Sequence, residues 1–193
     1  MKNEPRSNLL KLEKMKLEKK DYLEILENSF TYIVVFAMFA YGIGKIVQFN
    51  GAVPNNKIVS ELTAQQLMWA FYGYSKPFVY VLGILEIVGG IMMFFRRTRL
   101  LGCFLVSTIL INVILQDIFY SVNVGALRAA IIYQIAIIII LWFNKDKIVQ
   151  VLIILTNIEK TIVSRKMYFF KMFIAIILFI VLRVLEYFVT IKW

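Results

Sequence analysis

The chain has 193 residues, 61% of them hydrophobic and 18% charged, with a formal charge of +10 and a mean hydropathy of +0.76. A soluble domain of that length cannot hide so much apolar side chain behind a polar surface, so the composition excludes one. There is no histidine and a single cysteine, Cys103, which removes imidazole as a haem or metal ligand and rules out an internal disulfide or a CxxC couple.

Residues 1–28 carry charges of both signs and no apolar h-region, so nothing there reads as a cleavable signal peptide. Leu12, Met15, Tyr22, Leu23 and Leu26 fall on one stripe. That pattern predicts a cytoplasmic amphipathic helix, which lies on the membrane, pairs with a partner or stays solvated. Ser29–Phe49 then forms the first run long enough to cross a bilayer, which takes ~18 or more apolar residues.

The segment 50–76 opens with turn chemistry at Asn50, Gly51, Pro54, Asn55 and Asn56. Thr63-Ala64-Gln65-Gln66 fits a capping box, which predicts a short helix across one mouth of a bundle. Trp69, Tyr72, Tyr74 and Tyr80 read either as an interfacial aromatic belt or as a lid over a ligand. Further spans follow at 77–95, 100–122 and 126–143, the first of them with Pro77 at a helix start. In 146–163 the apolar residues recur at helical spacing, which predicts an interfacial helix, with a sixth, short or re-entrant pass as the competing reading. A fifth span covers 169–189.

The expected fold class is therefore all-α and multi-pass. A four-helix transmembrane bundle over 29–143 is followed in 144–193 by an amphipathic interfacial helix and a C-terminal transmembrane helix. Basic residues orient it. The leader, Arg96, Arg97, Arg99, Lys145, Lys147, Lys160, Arg165, Lys166 and Lys171 fall on one side, and only Lys57, Lys76 and Lys192 on the other. This predicts a cytoplasmic N-terminus and an outer C-terminus. The positive charge is a topology signal aided by anionic lipid, not a sign of nucleic-acid binding.

The ionisable residues inside the spans are Lys45, Glu86, Asp117, Arg128, Arg183 and Glu186. Each costs ~2.5–3.5 kcal/mol at the bilayer centre unless paired or wetted. At ~1.5 Å per residue, Glu86 falls near the midplane and the others between it and the outer surface, leaving the inner half nearly free of charge. The expectation is one polar cluster opening outward, with Glu86 as its floor and Lys45 as counter-ion. Gly83, Glu86 and Gly90 share a helix face, as do Gly42 and Lys45, so small residues let helices approach beside the charges. Asn112, Gln116 and Tyr120 form a polar row with Asp117 beside it, and Arg183 can reach Glu186 on its own helix. All nine polar residues are candidates for a ligand or proton-handling site; the competing reading is glue that fixes helix packing. No metal site is expected, and Cys103 reads as inert.

YGIGK (Tyr41–Lys45), LEIVGG (Leu85–Gly90) with arginines after it, the outer segment and the polar third span together resemble the DoxX-like family of small bacterial membrane proteins. The likeness covers about 29–143. It implies a four-helix bundle in the bacterial cytoplasmic (inner) membrane, with Lys45, Glu86, Gly89 and Gly90 as family-like positions. Some relatives are membrane subunits of thiosulfate:quinone oxidoreductase, and others belong to complexes handling oxidative or thiol stress. The leader and residues 144–193 exceed that pattern.

The resemblance implies an accessory subunit of a quinone-linked membrane redox complex. Such a subunit works in the lipid bilayer beside a membrane or cytoplasmic redox partner, without autonomous catalysis, with quinone as a non-covalent ligand. The alternative is a non-enzymatic scaffold or assembly factor. A small-solute or proton transporter using Glu86 ranks third.

Overall fold

The computed structural model describes residues 17–50, 58–157 and 164–191. Among them are seven α-helices and no strand: α1 Lys19–Gln48, α2 Ala64–Tyr74, α3 Lys76–Phe94, α4 Arg99–Tyr120, α5 Val124–Phe143, α6 Lys145–Thr156 and α7 Arg165–Ile191. A single 3₁₀ turn, Val59–Glu61, precedes α2. The class is all-α, as expected. Five helices, α1, α3, α4, α5 and α7, are long and apolar enough to cross a membrane. The 19 residues of α3 rise roughly 28 Å, close to the ~30 Å of a hydrocarbon core. This is a multi-pass membrane protein.

Local chemistry sets the helix ends. Thr63 Oγ1 accepts from the Gln66 N–H at 3.2 Å while Gln66 Oε1 accepts from the Thr63 N–H at 3.2 Å, completing the capping box that starts α2. Pro77 lies in the first turn of α3, where its missing N–H forfeits no helical bond. Asn123 Oδ1 accepts from the Ala126 N–H at 2.9 Å and caps α5. Just before it, Ser121 ends α4 in the left-handed region, at φ 49° and ψ 44°.

The first helix differs from expectation. No break separates the leader from the first span at Ser29, and α1 runs unbroken through it. Nothing between Tyr22 and Thr31 breaks a helix, and the carboxylate of Glu27 finds a partner inside the bundle (below) instead of solvent. Leu12 and Met15 of the predicted stripe lie outside the described residues.

The chain divides into two units, Met1–Val149 and Gln150–Trp193. In the first, α1, α3, α4 and α5 close a ring in which each packs on two neighbours, and α2 rests on α3 and α4. Consecutive neighbours run antiparallel, as the short connections 95–98 and 121–123 require. The core is narrow: Val34, Met38, Met93, Cys103, Val106, Leu110, Ile137 and Ile140 fill it. Phe36, Ile43, Ile84, Phe104, Ile118 and Ile132 lie exposed on the ring's outer face, which is the face a lipid solvent demands.

The 12 residues of α6 rise only about 18 Å, too short to cross, which removes a full sixth pass from that helix. Residues 158–163 of the expected interfacial segment lie outside the described residues. In the second unit α7 is a 27-residue apolar helix.

Candidate functional site: a polar cavity beneath a short aromatic helix

The site begins with two glycines. A Cβ on Gly42 would lie 2.7 Å from the Gly83 carbonyl oxygen, and one on Gly83 would lie 2.6 Å from the Gly42 carbonyl oxygen. The backbones of α1 and α3 therefore touch there, and any side chain would push them apart. Side chains on a helix lean toward its N-terminus. In this antiparallel pair Lys45 leans back toward Gly42 while Glu86 leans back toward Gly83, so both reach the level of the crossing. Lys45 Nζ meets Glu86 Oε1 at 3.0 Å and lies 5.8 Å from the centre of the Phe49 ring.

Beside this pair opens a cavity of about 560 Å³. Its walls include Tyr41 and Lys45 of α1, Phe78 and Glu86 of α3, Asn112, Gln116 and Asp117 of α4, and Ala126 and Ala130 of α5, with Trp69 and Tyr72 of α2 above. Gln116 Nε2 donates to the Tyr72 hydroxyl and to Asn112 Oδ1, tying the short helix to α4. Tyr72 stacks between Phe49 at 5.1 Å and Phe78 at 5.8 Å, and Trp69 meets Phe49 edge-on at 6.0 Å. The two readings of the aromatics divide between residues. Trp69 and Tyr72 face the cavity, whereas Tyr74 and Tyr80 are exposed.

Of the expected site residues, Lys45, Glu86, Asn112, Gln116 and Asp117 come together. Tyr120 and Arg128 do not line the cavity and are exposed. Steps of four residues advance ~400°, so the row from Asn112 drifts off its face by Tyr120, the last residue of α4. Arg183 and Glu186 pair with each other across one turn of α7. Within the first unit the charges on the cavity walls are Lys45, Glu86 and Asp117, and Arg128 stays outside them. Of the packing glycines, Gly89 and Gly90 also meet neighbours. A Cβ on Gly89 would lie 2.6 Å from Val106, and one on Gly90 would lie 3.2 Å from Met38. Gln134 stands apart, donating to Ser107 Oγ at 2.7 Å.

The opposite end of the bundle holds what the sequence reading missed. Arg99 is buried and donates from Nη1 to Glu27 Oε1 at 2.9 Å and from Nε to the Met93 carbonyl at 3.3 Å. Asn144 Nδ2 donates to the same Glu27 oxygen at 3.2 Å, and Lys147 Nζ donates to Asn144 Oδ1 at 2.9 Å. This half is therefore not free of charge; it contains a clamp joining α1, α4 and the end of α5. By sequence Arg99 belongs to the topology charges and Glu27 to the amphipathic leader. The available signal was an acid at the edge of one apolar run with an arginine and an asparagine at the matching edges of two others.

The family described as methylamine utilisation protein MauE matches residues 23–123, which take in nearly all of the first four helices and three of the cavity walls. The chain belongs to the MauE family. A relative, the uncharacterised protein YwoB of Bacillus subtilis (strain 168), is 26% identical over 121 residues, covering 62% of this chain and 77% of the relative. No solved structure matches.

Membership of the MauE family corrects the DoxX-like resemblance, and the quinone-linked accessory subunit inferred from it falls as well. The physical reason lies in the motifs themselves. YGIGK and LEIVGG supply glycines for close approach and one charge each for a pair, which any tight antiparallel helix crossing with a buried salt bridge needs. They record packing rather than ancestry. The MauE match includes Lys45, Glu86 and Asp117 and stops short of α5.

Proposed function

We propose that this chain is a non-enzymatic membrane scaffold or assembly factor serving a redox enzyme system of the kind that methylamine utilisation implies. It sits in the bacterial inner membrane with its N-terminus in the cytoplasm. Membership of the MauE family carries this reading. The use made of the charges agrees with it: Lys45–Glu86 fixes the α1–α3 crossing, and Arg99–Glu27–Asn144 ties α1 to the start of α4 and the end of α5. With no histidine and one buried cysteine, the chain has no dithiol of its own, so redox work falls to partners.

The test is deletion of the gene in its host, followed by quantitative proteomics of the membrane and of the exported proteins. The expected result is loss of a specific redox enzyme or its maturation partner, restored by the wild-type chain. An unchanged proteome and unchanged growth on amines would sink the scaffold reading.

A further inference from the structure

The salt bridge at the glycine crossing accounts for Lys45 and for one oxygen of Glu86. Two buried carboxylate oxygens remain, Glu86 Oε2 and Asp117 Oδ2, with no donor among the described residues. Their residues are only 3% and 7% exposed, and both line the same cavity. The Trp69 indole N–H, on the cavity roof, is buried and unpartnered too. Buried polar groups are normally satisfied, so several orphans around one void point to a missing partner.

The charge balance says what kind. Among the described residues, Lys45, Glu86 and Asp117 are the ionisable acids and bases on the walls apart from the tyrosines. Lys45 neutralises one carboxylate, which leaves one negative charge unmatched in a low-dielectric site. Two orphan acceptors call for N–H or O–H donors, and the unmatched negative charge selects a cation that carries N–H, which a quaternary ammonium lacks. The volume is that of a small-molecule site. An ion such as methylammonium, little larger than a water with its ~30 Å³ share of liquid, would leave most of it empty.

We infer that the cavity binds a primary organic ammonium carrying an apolar body. Its N–H groups donate to Glu86 Oε2 and Asp117 Oδ2, and its body lies against the aromatic wall under α2. The chemistry is shared by free alkylamines and by the ethanolamine headgroup of a phospholipid. The inference stands on the unpaired oxygens and does not depend on the scaffold reading.

The experiment uses the full chain in phosphatidylcholine nanodiscs, titrated calorimetrically with n-hexylammonium. Saturable binding is expected, at least tenfold tighter than for methylammonium or hexyltrimethylammonium, and none for hexanol. Asp117→Asn should weaken it at least tenfold. Ala126→Leu, which fills the cavity from α5 without touching a charge, should do the same and covers the case in which the aspartate variant does not fold. Trp69→Phe should stay within about threefold, since a ring remains and one N–H is lost. In nanodiscs containing phosphatidylethanolamine, competition against hexylammonium identifies the headgroup as the source, and unchanged affinity identifies a free amine. No saturable hexylammonium binding, equal binding of hexanol or the quaternary ion, or wild-type affinity in Ala126→Leu would overturn the inference.

Discussion

At the scale of single residues, the informative pair is Lys45 and Glu86. Each was legible in the sequence because a charge in the middle of an apolar run must find a partner or be expelled. Removing one member strands the other. Lys45→Met should therefore cost about 3 kcal/mol in unfolding titrations with SDS in mixed micelles, the low end for breaking a buried pair. The double variant Lys45→Met with Glu86→Met should recover most of that loss, so the two costs are strongly non-additive. Additive losses would mean that the pair does not form. Ser121 offers a second test. A serine in the left-handed region tolerates it poorly and a β-branched residue worse. Ser121→Val should lose ~1–2 kcal/mol in the same titration, while Ser121→Gly holds or gains. Equal stability of the two variants would show that the turn relaxes. Tyr120 stands outside the cavity for a reason that also belongs here. Its type suits a polar site, yet two four-residue steps carry it about 80° off the face of Asn112.

At the scale of helices, the glycines separate packing from propensity. Gly42 faces the α3 backbone, whereas a Cβ on Gly44 would meet nothing within 4 Å. Gly42→Ala should lower stability by about 1–3 kcal/mol through overpacking. Gly44→Ala should leave it unchanged or raise it by up to ~1 kcal/mol, because alanine is the better helix former. Thermal denaturation of the two variants side by side reads this directly, and equal effects would argue against the close crossing. The Arg99 clamp belongs to this scale too. Arg99→Met leaves the half-buried Glu27 with Asn144 alone, and a loss of ~2–3 kcal/mol is expected. That clamp is hard to see in the sequence because its members stand 72 and 117 residues apart, each at the edge of an apolar run where a polar side chain is unremarkable.

At the scale of the whole molecule, the distribution of lysine and arginine predicts an orientation that labelling can measure. Cys103 is fully buried, so Cys103→Ala gives a silent background for single cysteines at Lys76 and Arg97, exposed positions at the two ends of α3. In intact cells a membrane-impermeant maleimide should label position 76 and spare 97, with both reacting after permeabilisation. The reverse pattern would invert the proposed topology.

Hydropathy and charge alone determined that the chain is helical and membrane-spanning, where its spans lie, and that Glu86 requires a counter-ion. Each follows from the solvent: hydrocarbon admits only helices and closed barrels, runs of ~18 or more apolar residues select the helix, and a bare charge is penalised. Tertiary structure decided which polar groups meet. It drew Asp117 and Trp69 into the same void as Glu86, turned Tyr120 outward, and joined Glu27 to Arg99 and Asn144. Those outcomes depend on the rotation and depth of one helix against the next. Backbone contact at Gly42 and Gly83 sets that geometry for α1 and α3, and no periodicity within a single helix encodes it.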